Sequence, residues 1–97
     1  NIILMALQKI IRENYNSIVK RGLISPNTKP REFLEKLYEE CKEFETALLT
    51  GTKAEINEEL ADVILVCLNF AQHYDIDIEN ELTKKIKKNY ERARGNT

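Results

Sequence analysis

Five carboxylates are spaced so that they could work together: Glu39, Glu40 and Glu43 in one stretch, Glu59 and Asp62 in the next. Each stretch holds a pair three residues apart, and on a helix such a pair sits on one side, one above the other. The second pair lies in "EELADVILVCLNFA", an otherwise greasy run where an acid is costly unless something compensates it. Carboxylates gathered in such a setting repel one another by kilocalories per mole, so protons or cations must intervene. An all-oxygen ligand set suits a hard divalent cation, magnesium first, with manganese as a substitute. Solvated acid is the ordinary reading of either motif alone. The two together, on successive helices, point to a metal centre.

The helical wheel selects which acids face inward. At about 100° per residue with Leu37 at zero, Leu34, Cys41, Phe44 and Leu48 fall within about 60° and make an apolar face. Glu40 then lies at about −60° and Glu43 at about −120°, along the border of that face. Glu39 points nearly away, and Glu45 falls on the opposite border. On the next helix, with Leu60 at zero, Ile56, Ile64, Cys67 and Ala71 cluster. Glu59 and Asp62 share another side, continued by Asn69 and His73.

Four helices are expected to position these groups. The pattern is helical throughout, without repeats, low-complexity runs or strand-like alternation. The first helix runs from about Ile3 to Arg21, with Leu4, Leu7, Ile11 and Ile18 on one stripe and Gly22 as its stop. Leu23 to Pro30 is a linker, and a second helix follows from about Pro30 to Leu49, ended by Gly51. "TKAE", Thr52 to Glu55, is a capping box that opens the third helix, about Lys53 to Tyr74. That helix is apolar on almost every side, which marks it as central in a bundle or in an oligomer. Asp77 caps a fourth, Ile78 to about Arg94, expected to turn Leu82, Ile86, Tyr90 and Ala93 towards the core. The short connections make helices two and three antiparallel neighbours, so the expected architecture is an all-α four-helix bundle.

With 97 residues, the chain is read as one domain, 1–97, small enough that association into an oligomer is expected. No apolar run reaches the length of a membrane span, and "NIILMALQKIIRENY" lacks the pattern of a signal peptide. Cys41 and Cys67 sit on apolar stripes and read as buried free thiols, in keeping with a cytoplasmic location. With one histidine and no CxxC, a zinc site of Cys and His is not expected. Net charge is −1, but residues 32–62 alone hold ten acids against three lysines. The basic ends are too modest to argue for nucleic acid.

Glu39-Glu40-x-x-Glu43, fifteen residues, then Glu59-x-x-Asp62 closely resembles the EExxE…ExxD signature of the all-α nucleoside triphosphate pyrophosphohydrolases, the MazG-like superfamily. "LEKLYEECKEFETAL" and "NEELADVILVCLNFAQHYDIDIENEL" look like that family's core helices, and "KIKKNYER" resembles its K-x-x-x-N-x-x-R segment. The resemblance covers Phe33 to Arg92 and leaves the first thirty residues undiagnosed.

What it implies is a magnesium-dependent cleavage of an NTP or dNTP to the monophosphate and pyrophosphate. Glu40, Glu43, Glu59 and Asp62 would be the metal ligands, with Glu39 in an outer position or as base for the attacking water. Lys85, Asn89 and Arg92, on one face of the fourth helix, would meet substrate phosphates. Family members are dimers or tetramers, so a homodimer or homotetramer is expected, with no nucleic acid and no membrane as partner. Phosphoribosyl-ATP pyrophosphatase and a non-catalytic metal-binding module are the alternatives. The first usually shows a Tyr-His pair after the aspartate, and "DVILVCLNF" has none. Asn69 is expected as a satisfied polar residue at a subunit contact and His73 at the surface or as a cap. Tyr15, Phe33, Tyr38 and Phe70 are assigned to core or interface.

Overall fold

The computed structural model describes the backbone of residues 2–95 and the side chains of residues 6–95. These residues form four α-helices and no strand: α1 Ile2–Lys20, α2 Pro30–Thr50, α3 Lys53–His73 and α4 Ile78–Ala93. The helix ends lie where local chemistry satisfies unpaired backbone groups. Beyond α1, Gly22 takes a φ of +76°, the left-handed conformation that glycine adopts without strain. There the Gly22 N–H reaches Val19 O at 2.9 Å and the Leu23 N–H reaches Ile18 O at 3.2 Å. At the start of α2 the Glu32 carboxylate accepts from the Lys29 N–H at 2.6 Å, with Pro30 in the first turn. Both arms of the expected capping box open α3: Thr52 Oγ1 accepts from the Glu55 N–H, and Glu55 accepts from the Thr52 N–H. Asp77 accepts from the Asn80 N–H at 3.2 Å and caps α4.

Only Gly51 and Thr52 separate α2 from α3. The Gly51 N–H bonds Ala47 O at 2.8 Å, and a Cβ at position 51 would stand 2.7 Å from that same oxygen. So tight a turn admits glycine and little else. It lays α2 along α3, and α1 packs on α3 as well. The buried core is Ile11, Ile24, Phe33, Ala47, Val66, Leu68 and Ala71. At one end Phe33 meets Phe70, His73 and Tyr74, with ring centroids 5.6, 5.0 and 5.9 Å away. Two polar contacts fasten α1 to α3: Asn14 Nδ2 donates to Asn69 Oδ1 at 2.9 Å, and Tyr15 Oη lies 2.7 Å from His73 Nδ1. Asn69 is therefore satisfied within the chain, and His73 is partly buried rather than a surface residue or a cap.

The buried faces are rotated from those the wheel suggested. α2 buries Phe33, Glu40 and Ala47, one row at seven-residue spacing, so Glu40 lies at the middle of the inward face and not on its border. Leu48 is 56% exposed. On α3 the side that carries Asp62, Val66 and Asn69 turns inward, while Leu60 and Ile64 are 45% and 49% exposed. Cys41 and Cys67, expected as buried thiols, are exposed as well. A helix apolar on nearly all sides has no preferred face of its own, so its neighbours decide, and α1 and α2 flank the acid side.

The fourth helix departs furthest from expectation. Among the described residues it buries none, and Leu82, Ile86 and Tyr90 stay exposed rather than joining a core. The radius of gyration is 15.7 Å, against about 12.5 Å for a compact domain of this length. Leu4 of the α1 stripe lies outside the described side chains. Among the described residues no helix is long and apolar enough to cross a membrane.

Candidate metal centre

Glu40 is 6% exposed, so its carboxylate has left water and must find partners in the protein. Oε1 accepts from Lys36 Nζ at 3.1 Å, one helical turn back. Oε2 is buried and has no partner, and the same is true of Glu59 Oε2 on α3. Buried carboxylate oxygens without a donor are uncommon, and two in one acid cluster call for a partner that a cation, a proton or a water would supply. Oxygens of Glu40, Glu59 and Asp62 lie within 4.8 Å of one another, and so do oxygens of Glu39, Glu40 and Glu43. Glu40 belongs to both groups. Five carboxylates from two helices thus meet around one buried side chain.

The donor set fits a hard divalent ion. It is all oxygen, without the thiolate or imidazole that a softer metal would draw. Glu43 has its carboxyl pushed up from the ordinary range, first by the charge of Glu40 and then by lost hydration. Glu59 is pushed up as well, first by lost hydration and then by the charges of Asp62 and Glu40. Lys36 is raised above the usual lysine range, chiefly by its hydrogen bond to Glu40.

Beside the acids opens a cavity of about 600 Å³. Glu39, Glu40 and Asp62 line one end, Phe33, Ile24 and Val66 give it apolar wall, and Asn14 and Asn69 bring amides. Lys36 and Arg21 are the cations that line it among the described residues.

A family model described as the MazG-like family matches residues 24–96. The chain belongs to the MazG-like family. No curated protein and no solved structure matches it. The MazG-like span takes in α2, α3 and α4 with both acid groups, and leaves α1 outside. Yet α1 supplies Asn14 and Ile18 to the cavity wall.

All five acids singled out in the sequence come together. Lys85, Asn89 and Arg92 do not join them: they are exposed on α4 and none lines the cavity. Sequence reasoning missed Lys36, whose position four residues before Glu40 was a legible signal. It also missed Asn14 and Arg21, for which the residue pattern holds none.

The raised carboxyls set a pH dependence. A carboxyl whose pKa is higher in the folded than in the unfolded chain binds protons preferentially when folded, so its stabilisation is present below the unfolded value and lost as pH rises through the folded one. In chelator, Glu43 and Glu59 should therefore make the fold less stable as pH climbs out of the carboxylate range towards neutrality. Urea midpoints measured in EDTA across that range check this. A divalent cation should remove much of the loss by replacing the protons.

Proposed function

We propose that the chain is a magnesium-dependent nucleoside triphosphate pyrophosphohydrolase, cleaving an NTP or dNTP to the monophosphate and pyrophosphate. The observation that supports this best is the pair of orphaned buried oxygens, Glu40 Oε2 and Glu59 Oε2, at an acid centre that borders a cavity. Membership of the MazG-like family supports the same reaction class. Glu40, Glu43, Glu59 and Asp62 would hold the cation, with manganese as a substitute. When bound, it supplies charge neutralisation for the phosphate chain and Lewis acidity at the phosphoryl oxygens. α2 and α3 run as an antiparallel pair and fix the carboxylates from both sides. Glu39, exposed at the rim, would take the proton of the attacking water or stand in an outer position behind the ligands. The apolar and amide-bearing wall of the cavity holds the nucleoside and excludes bulk water.

Incubation with each NTP and dNTP, and with phosphoribosyl-ATP, in magnesium tests the reading by the release of pyrophosphate. Release from phosphoribosyl-ATP alone would move the enzyme to histidine biosynthesis. No release from any of them would leave a metal-binding assembly module.

The enzyme works as a homodimer or homotetramer in the cytoplasm. Leu34, Leu37, Cys67 and Phe70 line an apolar groove between α2 and α3, and Leu60 and Ile64 are exposed nearby on α3. A second copy would cover this surface and could bring Lys85, Asn89 and Arg92 of its α4 to the phosphates. Ile64→Glu is expected to shift the sedimentation profile towards monomer by placing a charge in that contact. A wild-type chain that sediments as a monomer at micromolar concentration would contradict the assembly.

A further inference from the structure

Three ion pairs at four-residue spacing occur on the helices among the described residues, and one differs in kind. Lys9–Glu13 spans 3.9 Å with both side chains about two-thirds exposed, and Arg31–Glu35 spans 3.5 Å in a similar setting. Such solvated pairs contribute little. Lys36–Glu40 spans 3.1 Å, and its acceptor side chain is only 8% exposed. Lys36 also reaches Glu39 Oε1 at 3.3 Å. Its ammonium is therefore anchored on the one carboxylate common to both acid groups, while its side chain borders the cavity.

A divalent ion at Glu40 Oε2 would stand across one carboxylate from this ammonium at Oε1. Although the lysine side chain is about half exposed, the like charges repel and weaken each other's hold. Lysine has a flexible four-carbon stem and a compact charge, so it can swing without losing a bidentate geometry. Among the described residues Lys36 and Arg21 are the cations that line the cavity next door. We propose that Lys36 is an internal counter-cation of the acid centre. It neutralises Glu40 and Glu39 while no divalent ion is bound, and turns into the cavity when one binds, there to meet the phosphate groups of the substrate. This rests on the metal-dependent reading above, and adds a phosphate-binding role for a residue outside the acid motif.

The test uses Lys36→Met and Lys36→Gln, so that one folded variant suffices, with Lys9→Met as a control that removes an exposed pair of the same spacing. Titration of nucleotide-free protein with Mn2+, followed by electron paramagnetic resonance, should show about tenfold tighter binding in the Lys36 variants, because the competing ammonium is gone. With Mn2+ saturating, inorganic pyrophosphate should bind them about tenfold more weakly than it binds wild type. The control should match wild type in both arms. Unchanged Mn2+ affinity, or unchanged pyrophosphate affinity, overturns the role of Lys36. If wild type binds Mn2+ and Glu40→Gln does not, the metal reading survives that result. If wild type binds no Mn2+ at all, both readings fall together.

Discussion

Glu40→Gln is expected to lower kcat/KM for nucleoside triphosphate hydrolysis at least about a thousandfold, equivalent to about 4 kcal/mol of transition-state stabilisation. The change keeps the shape of the side chain and removes its charge. Glu40 is the acid shared by both carboxylate groups and the most deeply buried of the five, so no neighbour can take its place. The helical circular-dichroism signal should persist. In EDTA the variant should be no less stable than wild type, since the amide relieves repulsion with Glu43 and Glu59 and still offers Lys36 an acceptor. Asp62→Asn should lose activity in the same manner. Full turnover by either variant would break the assignment of the metal centre.

Phe33→Ala is expected to destabilise the fold by about 3–5 kcal/mol, the usual loss when a buried aromatic is truncated. Phe33 is 6% exposed and meets three other rings at the end of α3, so little around it can collapse into the space left behind. A domain of this size has only about 5–15 kcal/mol of stability in total. The loss should appear as a large fall in the urea midpoint with an unchanged slope. Tyr38→Ala on the same helix, at a side chain 60% exposed, is the comparison. It should change stability by no more than about 0.5 kcal/mol.

Helix boundaries were legible to within a residue or so because their signals are local. Gly22, the Thr52–Glu55 box and Asp77 each mark an end through their own chemistry. Gathering the acids was legible too, since the three-residue spacing and the short turn at Gly51 both act over short distances in the chain. Which face turns inward was harder to read. The wheel sought to bury the most aliphatic surface, whereas the chain buries the row of Phe33, Glu40 and Ala47 and leaves Leu48, Leu60 and Ile64 outside. An apolar stripe reports that something will cover it, not whether the cover comes from the same chain. The same ambiguity explains α4, whose Leu82, Ile86 and Tyr90 have the period of a core helix yet stay about half exposed or more. Asn14 and Arg21 were out of reach for another reason. Their place in the cavity depends on how α1 crosses α3, and spacing within one helix does not encode that.

The two-residue link between α2 and α3 also bears on how the molecule comes to be folded. Closing so short a connection costs the least chain entropy, and contacts near in sequence form fastest. The opposed acids are therefore expected to meet before α1 docks, at a stage when their mutual repulsion resists pairing of the two helices. An ion that joins them at that stage acts on the rate of refolding, and not only on the lifetime of the finished structure.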